Sequence, residues 1–111
     1  MNSHKYFPRA LAFEVRLSAR EYPIVTVIGP RQSGKTTLVR ELFPDHAYVN
    51  LEDPQLRELA GTDPKALLER YPAPVIFDEI QRVPDLLSYI QVQVDAAPES
   101  TGRWILTGSN Q

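Results

Sequence analysis

Between residues 24 and 37 the chain reads IVTVIGPRQSGKTT, and no other stretch limits the fold as strongly. Ile24-Val25-Thr26-Val27-Ile28 is short, β-branched and almost wholly apolar, the pattern of a strand covered on both faces in a parallel sheet. Gly29 and Gly34 bracket a loop. Lys35 to Phe43 then places Leu38, Val39 and Leu42 at helical spacing, and Pro44 stops the helix. A strand, a glycine loop and a helix in immediate succession form the opening unit of an α/β fold.

The remaining elements alternate in the same way. Residues 8 to 20 are ambiguous: Leu11, Phe13, Val15, Leu17 and Ala19 alternate like a strand, but Pro8 and the pairs Leu11/Val15 and Phe13/Leu17 favour a helix. Ala47 to Leu51 reads as a second strand, Pro74 to Phe77 as a third and Arg103 to Thr107 as a fourth, broken by Gly108. Asp53-Pro54 and Asp63-Pro64 each look like a helix cap followed by proline at the first helical position. Asp85 to about Ala96 reads as a helix whose tail, Gln91 to Val94, also has a strand-like alternation. Strands separated by helices predict a parallel sheet with helices on both faces. No repeat, tether or composition shift divides residues 1–111, so one domain is expected: a helical lead-in over about 1–22 and a core over about 23–111.

The loop has its own chemistry. Gly29-Pro30-Arg31-Gln32-Ser33-Gly34-Lys35-Thr36 matches G-x-x-x-x-G-K-[ST]. Low bulk and unusual backbone angles let consecutive N–H groups turn inward around an anion, and the next helix aims its positive end at the same point. Loop residues 29 to 34, with Lys35, Thr36 and Thr37, therefore form the expected phosphate site. Lys35 is assigned to the β/γ-phosphates and the Thr36 hydroxyl to Mg²⁺. For Arg31 and Gln32 only the backbone amides are assigned.

Val75-Ile76-Phe77-Asp78-Glu79 delivers two carboxylates to the end of a strand, where ligands of open parallel sheets sit. Asp78 is expected to hold Mg²⁺ opposite Thr36, and Glu79 to polarise an attacking water. The chain has neither the D-x-x-G nor the N-K-x-D pattern of switch GTPases, which favours ATP over GTP. If the fourth strand lies between the loop strand and the acidic strand, its polar tip, Ser109 or Asn110, falls beside the γ-phosphate. Gln81 and Arg82 read as a solvated turn before Pro84, Glu52 and Asp53 as a helix cap, and Trp104 as core. His4 and His46 have no partner at metal-binding spacing.

Composition excludes several other classes. Twelve Lys and Arg against fourteen Asp and Glu give a net charge of -2, so no broad basic surface for nucleic acid is indicated. The chain has no cysteine, which removes disulfides, thiolate metal sites and cysteine nucleophiles. No apolar run approaches the ~20 residues of a membrane span. Met1 to Phe7 lacks the apolar core of a secretion signal, which makes the cytoplasm the expected location.

Taken together, residues 29–38 (GPRQSGKTTL), 48–54 (YVNLEDP), 75–84 (VIFDEIQRVP) and 105–110 (ILTGSN) resemble an AAA-type P-loop ATPase family of bacteria and archaea, usually followed by a C-terminal domain of unknown function. The resemblance spans about residues 6 to 111. It implies that residues 29–36 are the Walker A motif, Asp78 and Glu79 the Walker B pair, and Asn110 or Ser109 the sensor. Lys35, Glu79 and Asn110 are then the expected catalytic set. The resemblance also implies a five-stranded core ordered 5-1-4-3-2, of which four strands are legible here. The expected fold is thus a P-loop three-layer sandwich, truncated after its fourth core strand, with Ile24–Ile28 at an open edge available for self-association or pairing with another chain. The segments that carry an arginine finger and a second sensor in this family are not recognisable. Three readings follow: an Mg-ATP-binding part of a hydrolase, a nucleotide-binding module without useful turnover that pairs with another chain, or a truncated fragment with no independent function.

Overall fold

Residues 9–110 are described by a computed structural model. Residues 1–8, which contain His4 and the first part of the expected lead-in, lie outside the described residues, as does Gln111. The four apolar runs become strands β1 (Ile24–Gly29), β2 (Ala47–Asn50), β3 (Val75–Asp78) and β4 (Trp104–Ser109). Five helices separate or precede them: α1 (Arg9–Glu21), α2 (Lys35–Leu42), α3 (Pro54–Thr62), α4 (Pro64–Arg70) and α5 (Leu86–Ala96), with a 3-10 turn at Ile80–Arg82. The strands form one parallel sheet in the order β1-β4-β3-β2. Together these make an α/β sandwich of the P-loop type.

Register positions the site. Gly29 lies opposite Ser109, and Asn50 opposite Asp78, so the carboxyl ends of all four strands finish at one edge. Side chains alternate between faces along each strand. Val25, Val27, Ile76 and Ile105 meet Val15 of α1 and Val39 of α2 on one face. Val49, Val75, Phe77, Trp104 and Leu106 meet Ala60 of α3, Leu67 and Leu68 of α4 and Leu86, Ile90 and Val94 of α5 on the other. Phe77 and Trp104 stack at 6.4 Å between ring centroids, so the tryptophan is core as expected.

The ambiguous first segment is helical because only one of its stripes can face inward. Leu11, Val15 and Ala19, four residues apart, pack on the sheet, whereas Phe13 and Leu17 are exposed. In α5, Leu86, Ile90 and Val94 are buried at the same spacing, and the tail that alternates in sequence continues as helix. Asp53 accepts from the amides of Gln55 and Leu56, and Asp63 from that of Ala66, each ahead of proline in the first helical turn. Such caps contribute about 1 kcal/mol each.

Two expectations are corrected. β1 is only partly covered on its second face: Val25 and Val27 are buried on the first and Ile24 packs partly buried against the second core, but Thr26 and Ile28 are exposed, Ile28 to 55%. The second core is built mainly on β2, β3 and β4 and leaves Thr26 and Ile28 of this outer strand uncovered. Gly108 does not end β4, which continues through Ser109. A Cβ on Gly108 would lie 2.9 Å from Ile28 Cδ1, so glycine keeps the strand close to its neighbour at that point.

Candidate functional site

The loop between β1 and α2 turns on two residues in the left-handed region, Gln32 (φ 58) and Gly34 (φ 91). Glycine takes this conformation without penalty, and it brings the start of α2 back over the sheet edge. A cavity of about 590 Å³ opens there, lined by residues 31–37, Glu52, Asp78 and Glu79. The loop, the first turn of α2 and the acidic pair thus share one pocket.

Lys35 is only 2% exposed. Its ammonium donates to the Pro30 carbonyl at 3.2 Å and to Ser109 Oγ at 2.9 Å, and lies 3.5 Å from Glu79 Oε2. Thr36 Oγ1 donates to Asp78 Oδ2 at 2.9 Å. Asp78 also accepts from the hydroxyls of Tyr48 and Thr107. Three hydroxyls from α2, β2 and β4 therefore hold one carboxylate on the α2 face of the sheet. Thr107 does double duty, because its Oγ accepts from the Glu79 amide at 3.1 Å. The Tyr48 hydroxyl is raised above its ordinary pKa, first by burial and then by its bond to Asp78, so it stays a neutral donor. The Arg40 guanidinium lies 4.2 Å from the Tyr48 ring centroid and packs over it.

Glu79 follows β3 in a left-handed conformation (φ 64, ψ 51) and is 7% exposed. Its Oε2 accepts from Ser109 Oγ at 2.8 Å and its Oε1 from Gln81 Nε2 at 2.6 Å. Burial pushes its pKa up, but the bonds from Gln81 and Ser109 and the charge of Lys35 outweigh that and leave it below the ordinary value. At the rim, Glu52 pairs with Arg31 at 2.7 Å and with Arg82 at 3.3 Å.

Of the candidate loop residues, 31–37 share the cavity with the acidic pair, whereas Gly29 and Pro30 do not line it. Asn110 is exposed, and its backbone amide bonds to the Gly29 carbonyl at 3.3 Å; the side chain that reaches Lys35 and Glu79 is that of Ser109. Glu52 is not part of the α3 cap, which Asp53 makes alone, but bridges two arginines. Arg31 contributes a side chain to that bridge as well as a backbone position in the loop. Gln81 lies exposed in a turn, as read from sequence, and in addition donates to Glu79 and accepts from the Ser109 amide at 3.3 Å. Tyr48, Thr107 and Gln81 are the supporting residues that sequence reasoning missed. The period-two alternation of β4 carries a signal for one of them, because Thr107 falls on the same face as Ser109.

Beyond the geometry, residues 21–111 match the sequence model of a family described as an AAA domain. The chain belongs to this family. Membership places it among nucleotide-binding, ATPase-type domains. Two curated relatives, uncharacterized proteins of Mycobacterium bovis and Mycobacterium tuberculosis, are each 35% identical over 105 residues, covering 91% of this chain. The chain spans 23% of the length of those relatives. No solved structure matches. Among the described residues, no helix is long and apolar enough to cross a membrane, and no cluster of three or more His, Cys, Asp or Glu side chains suits a metal ion.

Proposed function

We propose that this AAA domain binds Mg-ATP in the pocket at the carboxyl edge of its sheet, and that the site is built for hydrolysis of the γ-phosphate. The observation that carries this reading is a single cavity lined by residues 31–37 and by Asp78 and Glu79, with the almost fully buried Lys35 paired to Glu79.

The residues fit the ligand. Ser33 Oγ in the loop is buried with no hydrogen-bond partner, and a phosphate oxygen would supply its missing acceptor. The loop amides, Lys35 and the N-terminus of α2 favour a polyanion. Thr36 and Asp78 offer a hydroxyl and a carboxylate oxygen side by side, a donor set suited to Mg²⁺, which takes one or two protein oxygens and fills its remaining positions with water and phosphate. When bound, the ion would neutralise charge on the phosphate oxygens. Tyr48 and Thr107 fix Asp78 in place for that purpose.

Glu79 is the group that accepts a hydrogen bond from the attacking water and aligns it. Lys35 exchanges its present partners, Pro30 and Ser109, for phosphate oxygens, and Ser109 is then released to bond to the γ-phosphate or the water. ATP is proposed over GTP because residues 1–111 carry neither the D-x-x-G nor the N-K-x-D pattern. The cytoplasm, where Mg-ATP is abundant, is the proposed setting. The edge of β1, with Ile28 exposed, is a proposed place for pairing with another strand, testable by sedimentation of the protein over a concentration range.

Titration calorimetry of ATP and GTP with Mg²⁺ tests the reading. Lys35→Ala should abolish ATP binding; unchanged affinity would contradict the site. Single-turnover hydrolysis compared between wild type and Glu79→Gln then separates an ATPase from a module that only binds.

A further inference from the structure

The two oxygens of the Glu79 carboxylate are held by different kinds of group. Oε2 faces Ser109 Oγ and Lys35, whose ammonium and hydroxyl the reading above assigns to phosphate. Oε1 is held by Gln81, which does not line the pocket. The chain reaches this arrangement through the left-handed turn at Glu79, which brings the side chain two residues on back against the carboxylate. The Gln81 amide then crosses to β4, where its carbonyl accepts from the Ser109 amide. Gly108 leaves room for that crossing: a Cβ there would lie 3.3 Å from Gln81 Oε1.

We propose that Gln81 is a positioning residue for Glu79, holding Oε1 with its side-chain amide so that Oε2 is the oxygen presented to water in the pocket. The inference rests on the assignment of Glu79 as the water-aligning group. When a polyanion draws Lys35 and Ser109 away, Oε2 loses both of its present partners while Oε1 keeps Gln81. A carboxylate anchored at one oxygen keeps the other aimed, whereas an unanchored glutamate samples several rotamers and aligns water in few of them.

Gln81→Met keeps the length of the side chain and removes both polar groups. Loss of a hydrogen bond to a charged group corresponds to a roughly ten- to hundredfold fall in kcat. The Kd and KM for ATP are expected to stay within about twofold, since Gln81 touches no proposed ligand. In a Glu79→Gln background the same substitution should have little further effect, because residues that act as one unit are not additive. An unchanged kcat in Gln81→Met overturns the inference. So does a fall that is matched by weaker ATP binding, or one that persists in full in the Glu79→Gln background, because either marks a merely structural role.

The pairing is also read without nucleotide, from the side-chain amide signals of Gln81, assigned by their loss in Gln81→Met. They are expected away from the free-glutamine position in wild type and to move back towards it in Glu79→Ala. A free-glutamine position in wild type refutes the clamp whether or not the protein hydrolyses ATP. An active wild type whose kcat is unchanged in Gln81→Met refutes the clamp alone, and a wild type that binds no ATP refutes the functional reading alone.

Discussion

Lys35 and Glu79 form an ion pair with side chains only 3% and 9% exposed, and that burial makes their coupling measurable. At 3.5 Å, with an effective dielectric constant near 20, the attraction is about 5 kcal/mol. Desolvation costs several kcal/mol per ion and offsets much of it. Each ion's own desolvation cancels in a double-mutant cycle, which reads the pairwise attraction itself, so a coupling of about 1–5 kcal/mol is expected. Lys35→Met keeps most of the apolar stem, removes the charge, and leaves the carboxylate with only Gln81 and Ser109 as donors. Its cost should fall near the low end of the ~3–5 kcal/mol seen when one partner of a buried pair is lost. Glu79→Gln added to Lys35→Met removes the stranded charge, so the double variant should be more stable than the sum of the two single losses predicts. Urea denaturation of the four proteins at neutral pH gives the cycle directly. Losses that add within about 0.5 kcal/mol would show that the two groups do not meet in the folded protein, and the pocket as described would be wrong.

Thr107→Val is isosteric but strips a donor from Asp78 and an acceptor from the buried Glu79 amide, so it should cost about 1–3 kcal/mol by denaturation and weaken Mg²⁺-dependent ATP binding. Gly102→Ala is a control remote from the pocket: Gly102 has φ +68, and a Cβ would meet the Ala19 carbonyl oxygen at 2.6 Å, so stability should fall by at least about 1–3 kcal/mol without a change in ATP affinity of the folded protein. The depressed pKa of Glu79 sets a pH dependence. The unfolded chain holds that proton more tightly than the folded one, so the stabilisation is present above the ordinary value of 4.5 and is lost as pH falls from there through the folded value. Glu79→Gln should flatten that part of an acid denaturation curve; an unaltered curve would show that the carboxylate is not held as described.

Much of this molecule could be read from local pattern alone. The strand, glycine loop and helix at 24–42, the two Asp-Pro helix starts and the acidic strand end are each set by short-range chemistry: β-branched runs, caps, prolines and helical spacing. These features suffice for an α/β fold and for the phosphate-site candidates, because their spacing along the chain is also their spacing in the structure. What only the folded sheet decides is which distant side chains converge. Ser109 rather than Asn110 reaches Lys35 because β4 runs one pleat past Gly108, and the pleat sends alternate residues to opposite faces. Tyr48, Thr107 and Thr36 meet at Asp78 because three parallel strands and α2 end in register, a relation that no local window of sequence contains. The partial coverage of the second face of β1 has the same origin. Its residues are as apolar as those of a covered strand, but coverage depends on where helices joined to other strands come to rest.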